Sequence, residues 1–416
     1  MTRVSDAPSG ITIDRARRDD HQRWLTELTQ VPTAAGKEGR VIAWLLDWFE
    51  ARPELQMDRD AHGNLTLSLR SSAQSDRPLY FTAHMDHPAF VVERVEGVRV
   101  VMSFRGGVMA DYFPDAKLEA WPDGSDAPIN GVLTEVLQDK IDGFPAYAAS
   151  FEGGEVPAGS IVRWRFARAK VLETEGAACL HTDACDDLAA MAAALAAFDE
   201  LRLRQIEGET IGDVRVLLTR AEEVGFIGAI GACREGTIPR GARVLALENS
   251  RSFADSPIGG GPIVRVGDRI SIFTPQVTAD VARIAEAIGG PSTPKASEKV
   301  DPSKAWRWQR KLMAGGACEA SVFCSFGLAA TCVCLPLGNY HNMADLAAVQ
   351  DGTFVGTPRV GREYIALRDY EGLVDLLVGC GLGLTDAAPG ESSGATPTFR
   401  ERLDGLWSDR ASVLKS

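Results

Sequence analysis

Side chains that bind metal ions or move protons stand at the ends of four predicted apolar strands. In open α/β sheets, ligands bind beyond the carboxyl ends of the strands, so residues from distant segments meet in one crevice. Two histidines with several carboxylates form the mixed nitrogen and oxygen ligand set of zinc or a related divalent ion, and one carboxylate can bridge two such ions. The candidates are His84 and Asp86 after PLYFTA, Glu222 and Glu223 after VRVLLT, Glu248 at the end of ARVLALE, and His341 after TCVCLPL.

Asp186 and Asp187 stand at the start of an alanine-rich helical segment and have two interpretations. A carboxylate there can cap the helix, or it can join the strand-end residues as a ligand. Taken alone, the pair Glu222–Glu223 fits a solvated helix start, and a single histidine fits a hydrogen-bonded structural role. Glu248 needs a partner, since a carboxylate that ends an apolar strand must be paired or reach the surface. The joint occurrence of these residues therefore favours a metal site.

Helix and strand patterns alternate on both sides of a β-rich stretch. Apolar residues recur at three- and four-residue steps over 18–50, and the helical pattern returns after Asp187. From Pro88 to about Leu180, short β-rich runs are separated by Gly, Pro and Asp, as in a small all-β module. We predict an α/β fold with a mixed, mostly parallel sheet flanked by helices. The predicted division is a discontinuous α/β domain over 1–87 and 182–384, an inserted β-rich domain over 88–181, and a linker and polar C-terminal tail over 385–416.

The composition excludes several kinds of partner. The chain has 416 residues, 57 of them acidic and 44 basic, and a formal charge of -13. Such a surface repels phosphate backbones and anionic lipid headgroups, so we expect neither nucleic acid nor membrane binding. No apolar stretch approaches the ~20 residues of a bilayer-spanning helix, and the N-terminus has no apolar core behind a basic start. We therefore predict a cytoplasmic protein, with its cysteines as buried thiols.

Several segments, in order, resemble signatures of the tetrahedral aminopeptidase (glutamyl aminopeptidase) family of dinuclear zinc metallopeptidases. They are HMDHPAF, CDDLAAM, LLTRAEEVGFIGA, LALENS, GGGPIVRVGD and the stretch from GGACEAS to NYHNM. The resemblance spans roughly residues 20 to 380, and ordered matches are more specific than any single motif. It implies a zinc aminopeptidase-like catalytic domain interrupted by a small β-barrel-like domain of the dimerisation type.

The resemblance also implies a metal-binding role for five residues. His84 would bind one ion and His341 the other, with Asp186 as the bridge between them. Glu248 would complete the His84 side and Glu223 the His341 side. The implied cofactors are two divalent ions per chain, zinc by preference, with cobalt or manganese as alternatives.

Four carboxylates are the candidates for proton transfer, for orienting His84 and for substrate binding. By the same resemblance, Glu222 is the general base for a metal-activated water, and Asp86 orients the imidazole of His84. An exopeptidase must also hold the free α-ammonium group of its substrate. Glu248, or Glu319 in GGACEAS, is our candidate for that contact.

Five positions depart from the pattern of the family. Glu248 and Glu319 stand where aspartate is usual, Asp345 where glutamate is common, His87 where glutamate follows His-x-Asp, and Leu188 where arginine is common. The extra methylene of Glu248 still permits metal binding but alters its reach, and with it the preference for metal or substrate.

The predicted function is a metal-dependent aminopeptidase that removes N-terminal residues from short peptides. One alternative is the same metal chemistry on a non-peptide amide, as in a deacylase. Another is a metal-poor, non-catalytic homologue kept for binding or assembly. Because the family's inserted domain helps to build hollow tetrahedral assemblies, we expect a homo-oligomer formed through this domain. An insertion with no assembly role is the alternative.

Overall fold

The computed structural model describes residues 11–72, 74–292, 308–313, 315–384 and 403–408. The helices are α1 (Arg15–Leu28), α2 (Gly39–Glu50), α3 (Leu188–Ile206), α4 (Ile227–Glu235), α5 (Pro275–Gly289), α6 (Glu319–Ser325), α7 (Leu346–Gln350) and α8 (Leu367–Gly383). The strands are β1 (Leu55–Arg59), β2 (Leu65–Leu69), β3 (Leu79–His84), β4 (Ala89–Glu96), β5 (Arg99–Arg105), β6 (Lys117–Trp121), β7 (Ile129–Val136), β8 (Ala146–Phe151), β9 (Ile161–Trp164), β10 (Lys170–Thr174), β11 (Ala177–Thr182), β12 (Val214–Thr219), β13 (Arg243–Arg251), β14 (Ile263–Asp268), β15 (Gln309–Met313), β16 (Ala329–Leu337) and β17 (Glu363–Ala366). Of the predicted linker and tail, 403–408 is described and helical, and the rest lies outside the described residues.

The described strands form a main sheet in the order β1-β2-β12-β3-β13-β16-β14-β15. Its central strands β12, β3, β13 and β16 are adjacent and parallel. The pairs β2–β12 and β14–β16 are antiparallel. β3 is buried at every position, as a strand covered on both faces must be. The predicted fold class, a mixed and mostly parallel sheet flanked by helices, is confirmed.

Neighbouring residues of β3 point to opposite faces of the sheet and join two different cores. Phe81 packs in the core that contains α1, α3, α5 and α8, and α3 is buried from Leu188 to Leu201. Tyr80 packs in the core that contains α4 and α6. This alternation is the period of two expected for a strand. Because helices cover both faces, polar ligand groups converge at the carboxyl edge of the sheet.

Between β3 and α3 the chain forms a closed barrel, in the order β4-β5-β8-β7-β6-β9. Aromatic side chains fill its interior: Phe90, Phe104, Phe113, Tyr147 and Trp164. The predicted barrel-like insertion is therefore confirmed, while its boundaries at 88–181 stay a prediction. β10 and β11 follow the barrel and pair instead with β17 in a separate three-stranded sheet.

The described helices include none with the length and hydropathy needed to cross a membrane. The cysteines are free thiols, and all are buried except Cys233 and Cys324, which are half-buried.

Candidate metal centre

The four central strands carry their polar residues to one edge of the sheet. β3 ends at His84, β13 contains Glu248, and the segments after β12 and β16 carry Glu222–Glu223 and His341. Asp186 enters from the segment between β11 and α3. Since adjacent parallel strands have their carboxyl ends at the same edge, the fold brings these residues together although they are far apart in sequence.

Asp186 lies between the two histidines. Its Oδ1 is 3.4 Å from Nε2 of His84, and its Oδ2 is 3.4 Å from Nε2 of His341. Glu223 Oε1 lies 3.4 Å from the same nitrogen of His341, and Glu248 Oε2 lies 4.0 Å from that of His84. These side chains are between 1% and 9% exposed. One carboxylate is thus shared by two histidine–glutamate pairs.

The ligand atoms of this cluster lie close enough to hold cations. Among the described residues, none donates a hydrogen bond to Asp186 Oδ1 or Glu223 Oε1, although both atoms are buried. A buried carboxylate oxygen needs a compensating partner, and this nitrogen and oxygen ligand set suits a divalent cation. The residues therefore fit a metal site. Three groups have ligand atoms within 4.8 Å of one another: His84, Asp186, Asp187 and Glu248; His84, Glu222 and Glu223; and Asp186, Glu223 and His341.

The concentrated negative charge shifts the pKa of the histidines upward. Burial lowers the pKa of His84, but the surrounding carboxylates, Glu222 foremost, outweigh burial and hold it well above its usual range. Burial lowers the pKa of His341 too, but the charge of Glu223 raises it. The net result is a raised pKa. Burial raises the pKa of Glu222 and Glu248. A bound cation favours the opposite states, neutral imidazole and ionised carboxylate, because coordination requires them.

Asp86 holds the turn that carries the paired glutamates. Its Oδ1 accepts the backbone N–H of Glu222 at 2.9 Å, and its Oδ2 accepts that of Glu223 at 3.0 Å. The backbone oxygen of Asp86 lies 3.1 Å from Nδ1 of His84, and its carboxylate lies 3.5 Å from that nitrogen. Sequence reasoning assigned Asp86 to the imidazole and missed its two contacts with the glutamate backbone.

Both carboxylate oxygens of Asp187 accept hydrogen bonds from other residues of the chain. Oδ1 accepts a hydrogen bond from Asn249 Nδ2 at 2.8 Å, and Oδ2 accepts one from the backbone N–H of His84 at 3.2 Å. Asp187 occupies the N-cap position of α3, yet its side chain makes no capping hydrogen bond. The capping interpretation is therefore wrong for Asp187, and Asp186 is the carboxylate that faces both histidines.

The loop after β16 presents His341 in a strained backbone conformation. Asn339, His341 and Asn342 have φ angles of 54°, 52° and 62°. Non-glycine residues persist in this left-handed region only where their surroundings hold them. The His341 N–H donates to Glu363 Oε1 at 2.8 Å, and the ring Nδ1 lies 2.6 Å from the carbonyl oxygen of Gly107 in the barrel. An Nδ1–H that donates to this carbonyl leaves Nε2 free to bind a metal ion.

His87, which departs from the family pattern, connects two segments of the centre. Its Nδ1 lies 2.5 Å from the backbone oxygen of Asp186, and its Nε2 lies 3.1 Å from Oδ1 of Asn342. The amide nitrogen of Asn342 donates to the carbonyls of Asp183 and Gly361, which sets the direction of its oxygen. The imidazole of His87 thus links the Asp186 segment to the loop after β16.

Glu319 is a buried neighbour of Glu248. It is 1% exposed, and its backbone N–H is 3.5 Å from Glu248 Oε1. Burial raises the pKa of Glu319 to about 7. Its contact with a substrate ammonium group stays a prediction. Glu248, the other candidate for that contact, lines the neighbouring cavity.

A cavity of about 200 Å³ adjoins the cluster. Five residues of the cluster line it: His84, Asp186, Glu222, Glu248 and His341. Phe253, Met313, Tyr340, Met343 and Leu346 add aromatic and apolar surface, and Arg251 and Arg265 add positive charge. The cavity places the candidate ligands within reach of a bound small molecule or chain terminus.

Gly106 offers a test of the contact between the barrel and His341. It has a φ angle of +146°, and a Cβ atom there would lie 2.6 Å from Cβ and 2.8 Å from Cα of Pro88. We expect Gly106→Ala to move the loop and the Gly107 carbonyl away from His341. Zn²⁺ affinity, measured by isothermal titration calorimetry, should then fall by about 10–100-fold, the usual cost of losing a partner behind a ligand histidine.

Gly107→Ala is the matched control. A Cβ atom at Gly107 would lie 3.8 Å from Nδ1 of His341, an ordinary van der Waals distance. This variant should bind Zn²⁺ as the wild type does. Unchanged affinity in Gly106→Ala would show that the barrel loop does not support His341.

Comparison with protein families agrees with this picture. The model of the M42 glutamyl aminopeptidase family matches residues 156–353, the range that contains Asp186, Glu222, Glu223, Glu248 and His341. A sequence comparison with curated proteins gave no match.

Solved structures share the fold at low sequence identity. An aminopeptidase from the archaeon Desulfurococcus kamchatkensis is 18% identical with a TM-score of 0.66, over 88% of this chain and 95% of that one. The TET1 peptidase of Pyrococcus horikoshii, described as assembling into a tetrahedron or a large octahedral shell, is 18% identical with a TM-score of 0.65, over 87% and 99%. An endoglucanase from Thermotoga maritima is 17% identical with a TM-score of 0.55, over 86% and 96%.

The sheet, the inserted barrel and the buried cluster define a mixed α/β protein that shares the fold of solved aminopeptidases and contains a candidate metal site. The match to the M42 glutamyl aminopeptidase family model and the fold shared with solved aminopeptidases support the resemblance found in the sequence. M42 proteins are metal-dependent peptide hydrolases, and the histidine–carboxylate cluster is a place where this chain can hold metal.

Proposed function

We propose that this protein is a metal-dependent aminopeptidase that removes N-terminal residues from short peptides. The observation that best supports it is the Asp186 carboxylate, whose oxygens lie 3.4 Å from Nε2 of both His84 and His341. A carboxylate shared in this way suits the bridging ligand of two cocatalytic ions. The M42 family match supports peptide hydrolysis as the reaction.

In this proposal two divalent ions share the cluster. His84, Asp186 and Glu248 would hold one, and His341, Asp186 and Glu223 the other. We favour zinc, with cobalt or manganese as alternatives, since carboxylate-rich sites accept all three. When bound, such ions polarise the scissile carbonyl and lower the pKa of a nucleophilic water.

We assign proton transfer to Glu222. Its side chain lines the cavity, and its backbone N–H is held by Asp86 at 2.9 Å. Burial raises the pKa of Glu222 well above its usual range. Bound cations would favour its ionised form, and an ionised carboxylate here could accept a proton from the nucleophile and return it to the leaving amine.

Glu248 is our candidate for recognising the substrate's free N-terminus. It lines the cavity and its carboxylate faces the His84 side of the cluster. A carboxylate at this position attracts an α-ammonium group and gains nothing from an acylated N-terminus, which carries no charge. Phe253 and Met313 would then border the side chain of the residue to be removed.

We also propose that the protein forms a homo-oligomer through the barrel. The barrel exposes apolar side chains, with Val98 88% and Val136 61% exposed. The Pyrococcus horikoshii TET1 peptidase, which shares the fold, is described as forming large shells. The cytoplasmic location stays a prediction from the sequence.

The test compares free and N-blocked substrates on one metal-analysed sample. We expect about two divalent ions per chain, the number a cocatalytic site holds, and hydrolysis of unblocked aminoacyl amides. A chelator should stop turnover, and added Zn²⁺ or Co²⁺ should restore it. Turnover confined to N-acylated amides would indicate a deacylase instead. A protein with neither bound metal nor turnover would indicate a non-catalytic homologue.

A further inference from the structure

A buried carboxylate outside the proposed ligand set contacts both metal-binding loops. Glu363, the first residue of β17, is 0% exposed. Its Oε2 accepts the backbone N–H groups of Cys185 at 2.6 Å and Asp186 at 3.0 Å. Its Oε1 accepts the backbone N–H of His341 at 2.8 Å. Donors from two loops far apart in sequence thus converge on one side chain.

We propose that Glu363 is a positioning residue that sets the separation of Asp186 and His341 before a metal ion binds. This inference rests on the proposed function, since it concerns the same centre. Because two loops share this acceptor, a shift of either loop weakens the hold on the other.

Glu363 and Gly107 act on different parts of His341. The carbonyl of Gly107 lies 2.6 Å from Nδ1 and fixes the direction of the ring. Glu363 binds the backbone N–H and fixes the place of the residue itself. The left-handed φ of 52° at His341 needs such an anchor, because this conformation is costly without one.

Asp369 provides a matched comparison within the same protein. It is also 0% exposed, and its oxygens accept the backbone N–H groups of Gly259 at 2.6 Å and Gly261 at 2.8 Å. The segment 259–261 contributes no residue to the described ligand groups. Asp369 therefore does the same local structural work as Glu363 at a place that does not touch the metal centre.

Two substitutions of Glu363 test the charge and the length of its side chain separately. Glu363→Gln keeps the shape but turns one acceptor oxygen into an NH₂ donor. Either the N–H of His341 or the pair at Cys185 and Asp186 then faces a donor, so one loop loses its anchor. Glu363→Asp keeps the charge and both oxygens but is one methylene shorter, so it does not reach both loops.

The experiment measures Zn²⁺ affinity by calorimetry and, separately, unfolding of the metal-free proteins by denaturant. Both Glu363 variants should bind Zn²⁺ about 10–100-fold more weakly than the wild type. Asp369→Asn should lower the free energy of unfolding and leave Zn²⁺ affinity unchanged. Wild-type affinity in the Glu363 variants would overturn the inference. A wild type that binds no Zn²⁺ would instead overturn the proposed function.

Hydrogen exchange on the wild type tests the inference even if the variants do not fold. The backbone amides of Asp186 and His341 should be protected in the metal-free protein, because Glu363 holds them without help from a cation. Exchange as fast as in an open loop, with protection only after Zn²⁺ is added, would show that the metal positions the loops.

Discussion

Glu222→Gln is expected to lower kcat by about 10²–10⁴-fold, the range that a positioned general base contributes. Glutamine keeps the shape of the side chain but cannot take up a proton. In the proposed ligand set Glu223 and Glu248 hold the ions, while Glu222, whose Oε2 lies 3.8 Å from Nε2 of His84, stays free to take up a proton. The metal content should therefore stay at the wild-type level. Steady-state kinetics on an unblocked aminoacyl amide and elemental analysis of the same sample measure both quantities.

Glu223→Gln is the matched comparison, because it changes a proposed metal ligand next to the proposed base. Its Oε1 lies 3.4 Å from Nε2 of His341, so its loss should reduce both metal content and activity. Activity should return in part at high metal concentration, whereas added metal should not restore Glu222→Gln. Full activity in Glu222→Gln, or metal loss equal to that of Glu223→Gln, would remove Glu222 from its assigned role.

Asp186→Asn is expected to abolish measurable turnover and to weaken divalent-ion binding by more than ~100-fold. Losing a residue that only supports a ligand costs up to about 100-fold, and the loss of a ligand itself should cost more. The carboxylate of Asp186 offers one oxygen to each histidine side. Asparagine has a single oxygen, and its NH₂ group faces whichever side the oxygen does not serve. Calorimetric titration with Zn²⁺ measures the affinity, and the metal stoichiometry shows whether one or both ions are lost.

Asp187→Asn tests whether Asp186, and not the adjacent Asp187, is the bridging ligand. Both oxygens of Asp187 already accept hydrogen bonds, from Asn249 and from the backbone of His84. Its replacement leaves a buried donor unsatisfied, which costs ~1–3 kcal/mol of stability. The loss of metal affinity should be smaller than in Asp186→Asn. A larger loss in Asp187→Asn would make Asp187 the bridging ligand.

The central part of the fold follows from the residue pattern. A strand such as LYFTAH, apolar throughout, must be covered on both faces, and alternation with helices makes neighbouring strands parallel. The structure has β12, β3, β13 and β16 side by side in this way. His84, Glu248 and His341 could therefore be predicted to meet, because each lies at or beyond the carboxyl end of its strand.

The choice between chemically equal neighbours could not be predicted from composition or periodicity. Asp186 and Asp187 have the same side chain, and only the surroundings direct one to the histidines and the other to Asn249. Glu319 lies in a family motif and stays one of two candidates for a substrate contact, and only the structure shows that it is 1% exposed at the start of α6. Family resemblance assigns roles to positions and does not report which side chains reach the cavity.

Glu363 shows most clearly what the sequence does not contain. A carboxylate that begins the apolar strand EYIA is a faint signal of a buried, partnered charge, and it belongs to no motif that we recognised. Its partners are backbone N–H groups, which every residue except proline carries, so no spacing of side chains reveals them. The carbonyl of Gly107 is hidden for the same reason.

The sequence by itself determined the kinds of ligand atoms, the order in which the strands deliver them, and the family to which the pattern points. These depend on side-chain chemistry and on short-range periodicity, which can be read along the chain. Only the tertiary structure decided which aspartate faces both histidines, and which backbone groups hold His341 in place. Those choices depend on distances between segments far apart in sequence, and such distances exist only once the sheet, the barrel and β17 have packed together.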